Sequence, residues 1–126
     1  MVATSRNTRT SRQIIRKALP LEKANVHNTN KTALADFLAA DITPSDPPCL
    51  FRIQVALTTA AAFKAKITKA TNTQTVGLNG GADLAAACVY IFDLIVHTGD
   101  SVNFISDENQ TPVMLLRVQE IAWGTQ

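Results

Sequence analysis

From about residue 50 onward, apolar and polar positions alternate with a period of two. That is the pattern of a half-buried strand, whose successive side chains face opposite ways. In Leu50–Leu57, Phe51, Ile53, Val55 and Leu57 alternate with Arg52, Gln54 and Ala56. In Ala62–Lys69, Phe63, Ala65 and Ile67 face one way and Lys64, Lys66 and Thr68 the other. Thr71-Asn72 supplies a turn, and Thr73–Leu78 follows with Val76 and Leu78 expected inward. Asn79-Gly80-Gly81 is a strong turn signal, because these residues tolerate positive φ at little cost. Ala82–Ala87 has helix-favouring alanines, but its context argues for an extended lead-in. Cys88–His97 is apolar on both faces, with Tyr90, Phe92, Leu94 and Val96 on one and Val89, Ile91 and Ile95 on the other. Such a strand is expected to be central, or to have its outer face covered by a helix or another subunit. Ser101–Ser106 and Val113–Trp123 complete the set, separated by the polar loop Ser106–Gln110, with Met114, Leu116 and Val118 of the last strand opposite Arg117 and Gln119.

The pattern before residue 49 differs. Ser11–Leu19 places Ile14, Ile15 and Leu19 on one side and stops at Pro20, which suggests a short helix. Thr32–Ala40 reads as a second helix, with Thr32 as N-cap and Leu34, Phe37 and Leu38 as its apolar stripe. Pro44, Pro47 and Pro48 then forbid both helix and central strand. The expected organisation is therefore an N-terminal arm, residues 1–48, with one or two short helices and a proline hinge. Behind it, residues 49–126 form a compact antiparallel β-sandwich of about six strands. The fold class is all-β, and no βαβ alternation is present.

Charge sharpens this division. The net charge of +2 conceals seven basic residues against Glu22 in residues 1–31, a local +6, and five basic against nine acidic side chains in the rest, −4. Residues 1–12 have little apolar content and are expected to be disordered in an isolated chain. Three roles are open to the arm: neutralising nucleic-acid phosphates, lying on an acidic neighbouring subunit, or remaining a solvated tail. Its arginines are spread out without interleaved aromatics, which argues against nucleic acid and for the neighbouring subunit. Arg6, Arg9, Arg12, Arg16 and Lys17 would then meet acidic groups, and Ile14, Ile15, Leu34 and Phe37 would be apolar anchors.

Candidate chemistry is sparse. His27 and His97 lie seventy residues apart without evident partners. Cys49 and Cys88 allow one disulfide and lack the spacing of a zinc or redox site. Asp93 interrupts an apolar strand; it reads as a solvent-side residue with a hydroxyl or amide partner, or as a carboxylate at a subunit contact or ion site. Oxygen ligands for such an ion would come only from Asp100, Asp107 and Glu108. No nucleophile elbow, metalloprotease pair or phosphate-binding glycine loop occurs. The expectation is a protein that is not an enzyme and has no cofactor and no metal. The longest apolar run, Leu84–Val96, is broken by Asp93 and falls short of the roughly 20 residues that span a bilayer. Nor does residues 1–20 contain the apolar stretch of a secretory signal. The chain reads as a soluble product of the cytoplasm.

The stretch Val76-Gly-Leu-Asn-Gly-Gly-Ala-Asp-Leu, then Val89-Tyr-Ile-Phe-Asp-Leu-Ile-Val, Thr98-Gly-Asp-Ser-Val-Asn-Phe and Leu115-Leu-Arg-Val-Gln-Glu-Ile resembles small β-sandwich virion proteins of tailed bacteriophages. These are capsid decoration (cement) proteins and tail or neck accessory proteins, and the resemblance covers roughly residues 50–121. It implies a homo-oligomeric subunit, often a trimer, that sits in the virion against major capsid or tail proteins and grips neighbours with an extended arm. It carries over no catalytic residue. A tail, baseplate or neck component would share fold and arm, differing in copy number. A carbohydrate- or receptor-binding module would instead need exposed aromatics, for which Tyr90 and Trp123 are the candidates.

Overall fold

The computed structural model describes residues 20–45 and 49–121, and it is all-β. Eight strands follow in order: β1 (Pro20–Lys31), β2 (Cys49–Leu57), β3 (Ala61–Thr68), β4 (Thr73–Gly77), β5 (Asp83–Leu84), β6 (Val89–Val96), β7 (Ser101–Ser106) and β8 (Gln110–Ile121). They form two antiparallel sheets. The first has the order β1-β8-β2-β6; in the second, β3 pairs with β4, β5 and β7. Residues 34–42 run along β7 as an irregular fifth member of the second sheet. Leu34 N donates to Ser106 O (2.8 Å), Phe37 N to Phe104 O (2.8 Å), and Ile42 bridges Val102.

The alternation along β2 and β3 is the reason these segments are strands. Phe51, Ile53, Val55 and Leu57 all turn inward and are fully buried, as are Phe63 and Ala65. They meet Leu116 and Val118 of β8, Val102 and Phe104 of β7, and Leu84 of β5 in one core. Phe63 stacks on Phe104 with ring centroids 5.5 Å apart and meets Phe37 at 5.7 Å with the rings tilted by 45°. Ring pairs at such distances add to the benefit of burial alone.

The Thr32–Ala40 helix does not form. Its i, i+3, i+4 apolar spacing fits a helix, but Leu34 has a φ of 65° and the consecutive Phe37 and Leu38 are both buried. The backbone of Leu38 is held instead by a side chain: Asn103 Oδ1 accepts from Leu38 N (3.0 Å) and Asn103 Nδ2 donates to Leu38 O (3.1 Å). A buried amide thus supplies both bonds that a neighbouring strand would have made, and tertiary contact overrides local propensity. The helix expected over Ser11–Leu19 lies outside the described residues.

Residues 20–31 are a full strand of the first sheet. β1 pairs with β8 from Pro20↔Ile121 to Lys31↔Gln110, with irregularities at Glu22/Ala24 and Thr29/Lys31. Lys23 Nζ reaches Glu120 Oε1 (3.1 Å) and donates to Ser45 Oγ (2.8 Å), while Ser45 N donates to Glu120 Oε2 (2.8 Å). Lys23 of β1 and Ser45, three residues past the 34–42 segment, are tied there to β8.

Two inward assignments are corrected. Val76 is exposed because β4 lies at the margin of the second sheet, paired only with β3. Met114 is exposed because it is the extra residue where Ala56 pairs Leu115 and Leu57 pairs Val113. One inserted residue puts the side chain out of phase with Leu116 and Val118.

Candidate interaction surface

β6 is not central. It is the last strand of the first sheet, paired with β2 in unbroken register from Cys49↔Val96 to Ala56↔Val89, and no described strand pairs with its other side. Its two apolar faces therefore have different fates. Tyr90, Phe92 and Leu94 turn inward and pack half-buried against the core. Tyr90 stacks on Phe92 at 6.1 Å and its hydroxyl accepts from Ala85 N (2.9 Å). Val89, Ile91 and Ile95 point outward and remain 64%, 59% and 48% exposed. Three large β-branched side chains on one edge strand are an unusual concentration of wet apolar surface.

The neighbouring rows complete this face. Register places Ala56 beside Val89, Gln54 beside Ile91, Arg52 beside Asp93 and Leu50 beside Ile95. Arg52 grips Asp93 with two bonds, Nε to Oδ1 at 2.9 Å and Nη2 to Oδ2 at 3.1 Å. That fork holds the Asp93 carboxyl below its ordinary range, and the same contact raises the guanidinium. Farther across the sheet, Arg117 Nε donates to Glu22 Oε1 at 2.8 Å. The partner of Asp93 is thus an arginine across the strand pair, not a hydroxyl or amide. The charged groups of the face are matched internally, and what they frame is apolar.

Other candidate residues fall in different places. Arg6, Arg9, Arg12, Ile14, Ile15, Arg16 and Lys17 lie outside the described residues. Leu34 stands 62% exposed, on a left-handed backbone. Phe37 does not serve as a surface anchor; it is 1% exposed, with its ring against Phe63. His27 and His97 are both exposed, and Cys88 is an exposed free thiol. Asp100 pairs with Lys69 (2.8 Å) and Asp107 accepts from Ala62 N (2.9 Å), so these loop acids serve local structure. Among the described residues no group of three or more His, Cys, Asp or Glu side chains could hold a metal ion. No helix among them is long and apolar enough to cross a membrane.

The exposed row Val89, Ile91, Ile95 was absent from the sequence-derived site residues. Its signal was present in the two-faced apolarity of Cys88–His97, which is equally the mark of a central strand and of an edge strand with a partner. Comparison with protein-family models, with curated proteins and with solved structures finds no match to this chain.

Proposed function

We propose that the protein is a viral structural subunit, a capsid decoration or cement protein that stabilises a shell through repeated contacts. The observation that carries this reading is the β6 surface: an edge strand with three exposed β-branched side chains and no unmatched charge, fitted to dry contact with protein. Connectivity supports it. With the 34–42 segment counted as a strand, the first sheet runs β1-β8-β2-β6 and the second runs segment-β7-β3-β4/β5. This is the strand order of a jelly roll, an architecture frequent among capsid proteins and also found in lectins and cupins. The resemblance of residues 50–121 to phage virion proteins and the +6 charge of residues 1–31 point the same way. Arg6, Arg9, Arg12, Arg16 and Lys17 would engage acidic neighbours, with Ile14, Ile15 and Leu34 as apolar anchors.

Of the two aromatics a sugar-binding module would use, Trp123 lies outside the described residues, and Tyr90 is half-buried with its hydroxyl engaged by Ala85 N, which gives that reading less support. The test is to measure copy number by quantitative mass spectrometry of purified particles from cells making the protein, and to locate the subunit by electron microscopy. Many copies spread over the shell are expected. A few copies at one vertex would transfer the protein to the tail or neck, and absence from particles would defeat the virion reading.

A further inference from the structure

We infer that β6 pairs with β6 of a second copy, antiparallel about a two-fold axis, joining two first sheets into one of order β1-β8-β2-β6-β6-β2-β8-β1. The inference rests on the assembly reading of this surface, not on the virion as its location.

The argument begins with the contrast between the sheet's two edges. A free edge is a template for unwanted pairing, and proteins blunt it with bulges, lysines, prolines or polar residues. β1 carries such devices: two register irregularities, Lys23 and Lys31, and an exposed polar row of Asn25, His27, Asn28, Thr29 and Asn30. β6 carries none. Its register with β2 is continuous, Val89–Val96 contains no lysine, proline or glycine, and its one charge is neutralised by Arg52 of the same chain. Beside this edge, Tyr90, Phe92 and Leu94 are only half-buried, because the flank of the core has no further strand over it. An added strand would cover both the edge and these three side chains.

A second copy fits because an antiparallel strand pair is self-complementary under two-fold symmetry. Directly opposed residues share a face, so inward residues must meet inward ones. Two centred registers satisfy this. One puts Asp93 against Asp93 of the partner copy, which brings like charges together and is disfavoured. The other puts Phe92 on the axis, Tyr90 opposite Leu94 on the inner face, and Val89 opposite Ile95 with Ile91 opposite Asp93 on the outer face. The second register keeps the carboxylates apart, leaves each with its own Arg52, and pairs aromatic and apolar residues along the inner flank.

This register makes a metric prediction. Cys88, exposed and free, lies four positions from the axis. At a rise of roughly 3.4 Å per residue, the two Cys88 residues stand about 27 Å apart, too far for a disulfide between copies.

The test uses the full chain. Sedimentation equilibrium over two decades of concentration should show a dimer or an even multiple of it. Replacing Ile91→Lys and Ile95→Lys together, both on the exposed face, should weaken association by about tenfold or more while leaving the far-ultraviolet circular dichroism unchanged. Nitroxide labels on Cys88 in a Cys49→Ala background should give a distance near 27 Å by pulsed electron paramagnetic resonance, before the spread of the label arms. A monomer at every concentration overturns the pairing, as does an oligomer indifferent to the double substitution or a clearly different label distance. So does a monomer whose β6 amides exchange slowly until residues 1–19 are removed, since the edge would then belong to the chain's own leader. A monomer that still enters particles sinks the pairing alone; a dimer absent from particles sinks the virion reading alone.

Discussion

Two buried amides show how single side chains hold this sandwich together. Asn103, 1% exposed, binds both backbone groups of Leu38 and donates to Asp41 Oδ1 at 2.9 Å. Gln110, fully buried, treats the loop between β2 and β3 in the same way, accepting from Thr59 N (3.0 Å) and donating to Thr59 O (2.9 Å). In each case an irregular segment passes a strand without a regular ladder, and a side-chain amide replaces the missing peptide. Replacing Asn103→Leu keeps the volume but strands the Leu38 peptide, so it should cost about 1–3 kcal/mol in urea unfolding. The Arg52–Asp93 pair is the opposite case, exposed and individually weak. Because the folded Asp93 carboxyl titrates below its ordinary range, the unfolded chain binds more protons in acid. Its contribution is therefore complete above the unfolded value and is lost as pH falls through the folded one. Asp93→Asn should lower the melting temperature slightly at neutral pH and hardly at all in acid, so that the acid limb of melting temperature against pH flattens.

At the scale of elements, the turns decide which strands can pair. Gly77 ends β4, and a methyl group there would sit 2.9 Å from the Cα and 3.0 Å from the N of Gly81. Both contacts are backbone and cannot swing aside. Gly77→Ala should therefore destabilise by about 1–3 kcal/mol, read as a lower denaturation midpoint. The strands themselves show what alternation can and cannot reveal. β2, β3, β7 and the buried half of β8 were legible because Phe51, Ile53, Val55, Phe63, Phe104, Leu116 and Val118 keep strict phase with the core. β1 was hidden because Ala24 and Val26 are its only described apolar residues packed against the core and two irregularities break the phase. Met114 lost its phase to one inserted residue. The 34–42 segment misled in the other direction, since its helical spacing is real and its conformation is imposed by β7.

For the whole molecule, long-range pairing does most of the organising. β1 closes onto β8 across nearly the full described chain, and β2 sits between β8 and β6. The candidate surface arises only at this scale, because nothing local distinguishes a strand apolar on both faces at the middle of a sheet from one at its rim. The all-β character, most strand segments and the concentration of positive charge in residues 1–31 can be read along the chain without any fold. Those properties are written in neighbouring residues, by a period of two and by simple composition. Tertiary structure alone decided that residues 20–31 join the sheet, that Phe37 is core while Leu34 is surface, and that Val89, Ile91 and Ile95 stand at an open edge. Each depends on contacts between residues far apart along the chain, and a local pattern carries no record of which distant strand arrives to make them.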